Sequence, residues 1–180
     1  MEVKHFNIGG PFELVPDIFK DDRGIFFESF RAENFSKLGI EKAFIQDNHS
    51  FSYKNVLRGI HFQLSPFEQG KLVRVTYGKA YDVAVDLRPG SDTFGKYISV
   101  VLDSKLNNMF YIPEGFGHGF VALEDCILQY KCTSYYHAPA DTGIRWDDPD
   151  LKIIWPVENP ILSKKDSELP SFKSFIDNNI

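Results

Sequence analysis

The sequence predicts an all-β protein, a closed double-sheet jelly roll with short peripheral helices. Apolar and polar residues alternate with period two through most of the chain. Clusters of Gly, Pro, Asn and Asp break that alternation at short intervals, and only one segment reads as a credible helix. So many short strands must hide their sheet edges, and a closed double sheet does so.

The elements follow in chain order. "RAENFSKLG" (31–39) is the helix, short and ended by a glycine. In "FIQDNHS" (44–50), Gln46, Asn48 and Ser50 share one face of a strand, while Ile45, Asp47 and His49 share the other. "VLRGIHFQ" (56–63) places Leu57, Gly59, His61 and Gln63 on one face and Arg58, Ile60 and Phe62 opposite. A bulge at Gly59 would turn Arg58 to the side of His61. "KLVRVTY" (71–77) and "AYDVAVDLR" (80–88) each alternate, with Gly78-Lys79 supplying a turn after the first, and "RPGSDTFG" (88–95) is a loop. Further strands are expected at 96–102, 108–113, 118–124 and 126–136, with at most one helical turn at 104–108. Residues 147–180 read as a proline-rich C-terminal wrapping segment of a single domain spanning 1–180. Its Ile153, Ile154, Trp155, Ile161 and Leu162 require it to pack.

Composition narrows the function. With 180 residues, 43% of them hydrophobic, the chain can bury one substantial core. A net charge of −5 argues against a nucleic-acid-binding surface. Cys126 and Cys132, six residues apart on one strand face, are too far apart for a comfortable bridge and read as buried thiols. No apolar leader or membrane span is visible, so a cytoplasmic protein is expected.

Arg23, Arg58, Lys71, His61 and His118 all fall in strand-like segments where solvated charge is uncommon, and Tyr130 joins them by alternation. One such residue is ordinarily a satisfied core group; the set points to a polar ligand cavity. A metal site fits poorly. Jelly rolls of the cupin type use a His-x-His pair with a following carboxylate, but here the pair is His61-Phe62-Gln63 and a lysine, Lys71, follows. No metal and no cofactor are expected.

The order of "FKDDRGIFFESF", "QDNHSFS", "VLRGIHFQ", "QGKLVRV", "DVAVDLRPGSDTFG", "IPEGFGHGF", "YKCTSYY", "GIRWDDPDL", "IIWP" and "LSKKD" resembles the dTDP-4-dehydrorhamnose 3,5-epimerase family, of cupin-like fold, over nearly the whole chain. The resemblance implies His61 as general base, Tyr130 as general acid and Asp166 as the partner orienting His61. It implies Lys71 and His118 around the sugar's keto oxygen. Arg23, Glu28, Gln46, Asn48 and Arg58 would hold the nucleotide diphosphate, with Arg23 and Glu28 supplied by the other subunit of a homodimer. Tyr136 would stack on the base, and Asp141 and Lys165 would make further substrate contacts. Two departures stand out: Gly117 replaces the family's alanine in "GFGHGF", and Asp141 stands where the family carries glutamate. The implied substrate is a dTDP-4-keto-6-deoxyhexose. A C3-only epimerase, an inactive sugar-nucleotide binder and a metal-dependent cupin enzyme are the alternatives.

Overall fold

The computed structural model describes residues 1–179; Ile180, the end of the expected wrapping segment, lies outside them. The chain opens with β1 (Glu2–His5) and β2 (Phe12–Val15), then a hairpin of β3 (Phe19–Asp21) and β4 (Gly24–Phe26), then α1 (Ala32–Lys37). Next come β5 (Gln46–Ser52), β6 (Leu57–Gln63), β7 (Lys71–Tyr77), β8 (Lys79–Asp86), β9 (Tyr97–Asp103) and β10 (Met109–Ile112). β11 (Phe116–Ala122), β12 (Cys126–Cys132), β13 (Asp141–Gly143), α2 (Lys164–Ser167) and α3 (Phe172–Asn179) complete it.

Two antiparallel sheets carry the fold. One has six strands in the order β1-β2-β10-β7-β12-β5, and the other five in the order β13-β6-β11-β8-β9. This is the expected jelly roll. Its core follows from the alternation: Val73, Val75 and Leu128 of the larger sheet meet Ala84, Val100 and Phe120 of the smaller one. Leu128 and Val73 are fully buried, and each such side chain contributes about 1.5–3 kcal/mol of burial free energy.

Both outer faces are partly covered. α1 sets Phe35 against Leu72 and Met109 on the larger sheet. The C-terminal segment sets Leu151, Phe172 and Phe175 against Ile60, Val83 and Val85 on the smaller one.

The helices differ from expectation. Beyond α1 the tail contains α2 and α3, where the sequence pattern alone indicates only a wrapping segment. α3 packs Phe172, Phe175 and Ile176 at helical spacing, with Ser171 Oγ accepting the Ser174 N–H at 3.2 Å. Residues 104–107 form turns rather than a helix, tied back to the Asp103 carbonyl. β1–β4 escape the alternation signal because each has four residues or fewer.

Candidate active site

The cavity starts from a defect in β6. β6 pairs with β11 as His61 opposite His118 and Arg58 opposite Phe120, so three steps on β6 match two on β11. The surplus residue is the bulge expected at Gly59. Gly59 has a φ of +121°, and a Cβ there would lie 2.4 Å from the Gly119 Cα and 2.7 Å from the His118 carbonyl oxygen. Only glycine fits a backbone so twisted and so closely approached. Arg58 and His61 consequently line one cavity of about 320 Å³.

His61 Nε2 is bonded to Asp166 Oδ1. Asp166, with a side chain 4% exposed, sits in the first turn of α2. Ser163, the residue before α2, donates from Oγ to Asp166 Oδ2 at 2.9 Å and accepts the Asp166 N–H at 3.0 Å. Burial opposes the Asp166 charge, but the bonds from His61 and Ser163 outweigh it and hold the carboxyl below its ordinary range.

The opposite wall belongs to the larger sheet. Tyr130 on β12 stands between Asn48 on β5 and Val73 on β7, and Cys132 lies opposite Lys71. Burial pushes the Tyr130 phenol up, keeping it a neutral donor. Burial also pushes the Lys71 ammonium down, opposed by Cys132, Asp82 and Asp141. Lys71 Nζ makes no hydrogen bond or ion pair among the described residues, so its protons remain available to a ligand.

His118, beside Tyr130 with ring centroids 6.4 Å apart, shares its Nε2 between both oxygens of Asp82 at 3.0 Å. Burial pushes this imidazole down while Asp82 pulls it back.

The rim completes the set. Tyr136 donates its hydroxyl to Asp141 Oδ2 at 2.9 Å, and Lys165 Nζ donates to the same oxygen at 2.5 Å. Arg58 is held by the Ser52 hydroxyl and the Phe51 carbonyl, each at 3.1 Å. The cavity thus brings together Asn48, Arg58, His61, Lys71, His118, Tyr130, Tyr136, Asp141 and Lys165. Asp166 stands behind His61. Gln46 stands behind the rim, accepting the Tyr136 N–H at 2.8 Å and donating to Asn48 at 3.2 Å.

Arg23 and Glu28 do not join this cavity. Arg23 is bonded to Asp21 on the exposed hairpin, and Glu28 to Arg31. The sequence reading also gave no role to Asp82, Ser163 or Ser52. Asp82 had a signal, a carboxylate inside the apolar strand "AYDVAVD". Among the described residues no three His, Cys, Asp or Glu side chains are grouped to hold a metal ion. Both cysteines are free and buried.

An imidazole on one sheet, and a phenol and an ammonium on the other, line one cavity of a jelly roll, which is the set of groups an acid–base isomerase would use. The family model described as dTDP-4-dehydrorhamnose 3,5-epimerase matches residues 5–174. The chain belongs to that family and is a carbohydrate epimerase. It is 50% identical over 159 residues to a dTDP-4-dehydrorhamnose 3,5-epimerase of Escherichia coli, covering 87% of this chain and 86% of that protein. The solved structure of a Mycobacterium tuberculosis epimerase superposes with a TM-score of 0.95 at 37% identity, covering 98% of this chain and 91% of that one. A 3,5-epimerase from Legionella pneumophila, crystallised with dTDP-4-keto-L-rhamnose, superposes at 0.92 with 43% identity, covering 96% and 93%.

Proposed function

We propose that the chain inverts C3 and C5 of dTDP-4-keto-6-deoxyglucose, giving dTDP-4-keto-L-rhamnose, by proton transfer through an enolate. One observation carries the mechanism: His61, backed by Asp166, and Tyr130 line a single cavity from facing sheets. The C4 carbonyl acidifies the hydrogens on both neighbouring carbons. His61 removes one from its face of the ring, with Asp166 fixing the tautomer. Lys71 and His118 surround the oxygen on which charge develops. Tyr130 returns a proton from the opposite face, which inverts the centre. The ketone supplies the electronic activation, so the reading needs neither metal nor cofactor.

Arg58 suits the diphosphate, since guanidinium can bind two phosphate oxygens at once. Asn48, Asp141 and Lys165 line the same cavity with Gln46 behind its rim, and Tyr136, 57% exposed, offers a ring face to the base. The enzyme acts as a homodimer. The β3–β4 hairpin pairs with no other strand among the described residues, yet exposes Phe19, Ile25 and Phe26. Such a hairpin needs a surface to rest on, and it would carry Arg23, with Glu28 just beyond, into the partner's cavity. The two buried thiols fit a reducing compartment such as the cytoplasm.

Incubating enzyme and substrate in deuterated water and reading the product by NMR tests this. The wild type places deuterium at C3 and C5 with inversion at both. His61→Asn places none at either. Tyr130→Phe still exchanges, because His61 returns a solvent deuteron to the face it deprotonated, but inversion is lost. Exchange persisting in His61→Asn would refute the base assignment. Deuterium at C3 alone in the wild type would make the chain a monoepimerase, the activity named for a Streptomyces bikiniensis structure that superposes at 0.90 with 34% identity.

A further inference from the structure

We propose that Ser163 is a positioning residue for the epimerisation: its hydroxyl fixes the Asp166 carboxylate so that Oδ1 is presented to His61. This rests on the reading of His61 as the base. Asp166 divides its two oxygens, Oδ1 to His61 and Oδ2 to the Ser163 hydroxyl at 2.9 Å. A carboxylate held at one oxygen can rotate about its terminal bond; one held at both cannot. The same hydroxyl accepts the Asp166 N–H at 3.0 Å, so Ser163 grips both the backbone and the side chain of one residue.

The local sequence explains the arrangement. Ser163-Lys164-Lys165-Asp166 has capping-box spacing, with a serine three residues before an acid at a helix start. Here the acid returns to the hydroxyl through one oxygen and spends the other on His61. α2 has four residues, too short to hold its own geometry. Just upstream, Ile161 is tied to the start of β6, its N–H to the Asn55 carbonyl at 2.9 Å and its carbonyl to the Leu57 N–H at 3.0 Å. Ser163 is therefore the joint between a segment anchored on the strand of His61 and the carboxylate that faces His61.

Three variants separate orientation from helix capping: Ser163→Thr keeps the hydroxyl and the cap, Ser163→Gly keeps a serviceable cap without a hydroxyl, and Ser163→Ala keeps neither. The expected result is wild-type kcat for Ser163→Thr. For Ser163→Gly and Ser163→Ala, kcat falls about ten-fold, in the range such orienting partners contribute, with KM nearly unchanged. The acid limb of the kcat–pH profile moves to higher pH, because a donor that stabilises the Asp166 charge is gone. If Ser163→Gly keeps wild-type kcat and pH profile while His61→Asn is inactive, Ser163 is a cap only and the proposal falls alone. If His61→Asn retains exchange, the base assignment and this proposal fall together. Should the glycine variant not fold, wild-type kcat and pH profile in Ser163→Ala would overturn the proposal in its place.

Discussion

Arg58 and His61 face the same cavity across an extra residue in β6, which lies between the His61–His118 pair and the Arg58–Phe120 pair. In a regular strand, positions three apart point to opposite faces. The bulge cancels that parity and brings the Arg58 cation and the His61 imidazole to one cavity.

Gly59→Ala should therefore damage both stability and activity. The new Cβ would press on the Gly119 backbone at 2.4 Å, and no flexible side chain can yield there. Strained backbone of this kind costs about 1–3 kcal/mol, and relief by straightening β6 would swing Arg58 away. The expected outcome is a lowered urea midpoint, with KM raised more than the stability loss alone explains. A variant with wild-type midpoint and KM would show that the bulge does not set the site.

The sheet half of this geometry is legible in the sequence. Alternation sets Gln46 and Asn48 on one strand face and adds Tyr130 to the polar set, and the glycine beside Arg58 marks the bulge. Asp166 is another matter. It lies 105 residues from His61, on a helix too short to leave a periodic signal, so only resemblance to known relatives pairs the two. Asp82 shows the opposite failure: its alternation is clear, but nothing local says that its face meets His118 on a neighbouring strand.

Lys71 should trade stability for function. Its ammonium is hydrated in the unfolded chain but 8% exposed in the fold and without a bonded partner, which is why burial pushes it down. Replacing a buried charge with a well-packed apolar side chain is often stabilising, by about 1–4 kcal/mol. Lys71→Met is expected to gain stability in that range at neutral pH while losing kcat about 10²–10³-fold, as when an oxyanion donor is removed. Calorimetry and steady-state kinetics on one preparation check both. A variant less stable than the wild type would contradict the account of Lys71 as an unpaired buried cation.

Acid should weaken the fold in two windows. His118 is held below its ordinary value by burial, so the unfolded chain binds that proton more readily. Its contribution is present above about pH 6.5 and is lost as pH falls through that value. Asp166 is also held low, so its contribution is lost further down, as pH falls from about 4 toward its depressed folded value. Urea midpoints measured from pH 8 to pH 3 should decline in both windows, and His118→Asn should flatten the upper one. A flat midpoint between pH 7.5 and 5.5 in the wild type would contradict the buried neutral imidazole.

The reach of Arg23 across a dimer can be tested by complementation. Phe26 is 71% exposed on a hairpin that no other strand covers among the described residues, so Phe26→Asp should shift the protein from twice the 20.6 kDa chain mass toward the monomer. Arg23→Ala and His61→Asn should each abolish turnover when purified alone. In a twofold dimer with one subunit of each kind, the cavity with intact His61 receives its arginine from the other subunit and works, while the second cavity lacks both groups. Equal mixing makes half the dimers mixed, with one good cavity in each, so about a quarter of wild-type activity should return after unfolding and refolding the two together. Recovery near zero would place Arg23 in its own subunit's cavity. Recovery near a quarter is a result that a self-contained monomeric site cannot produce.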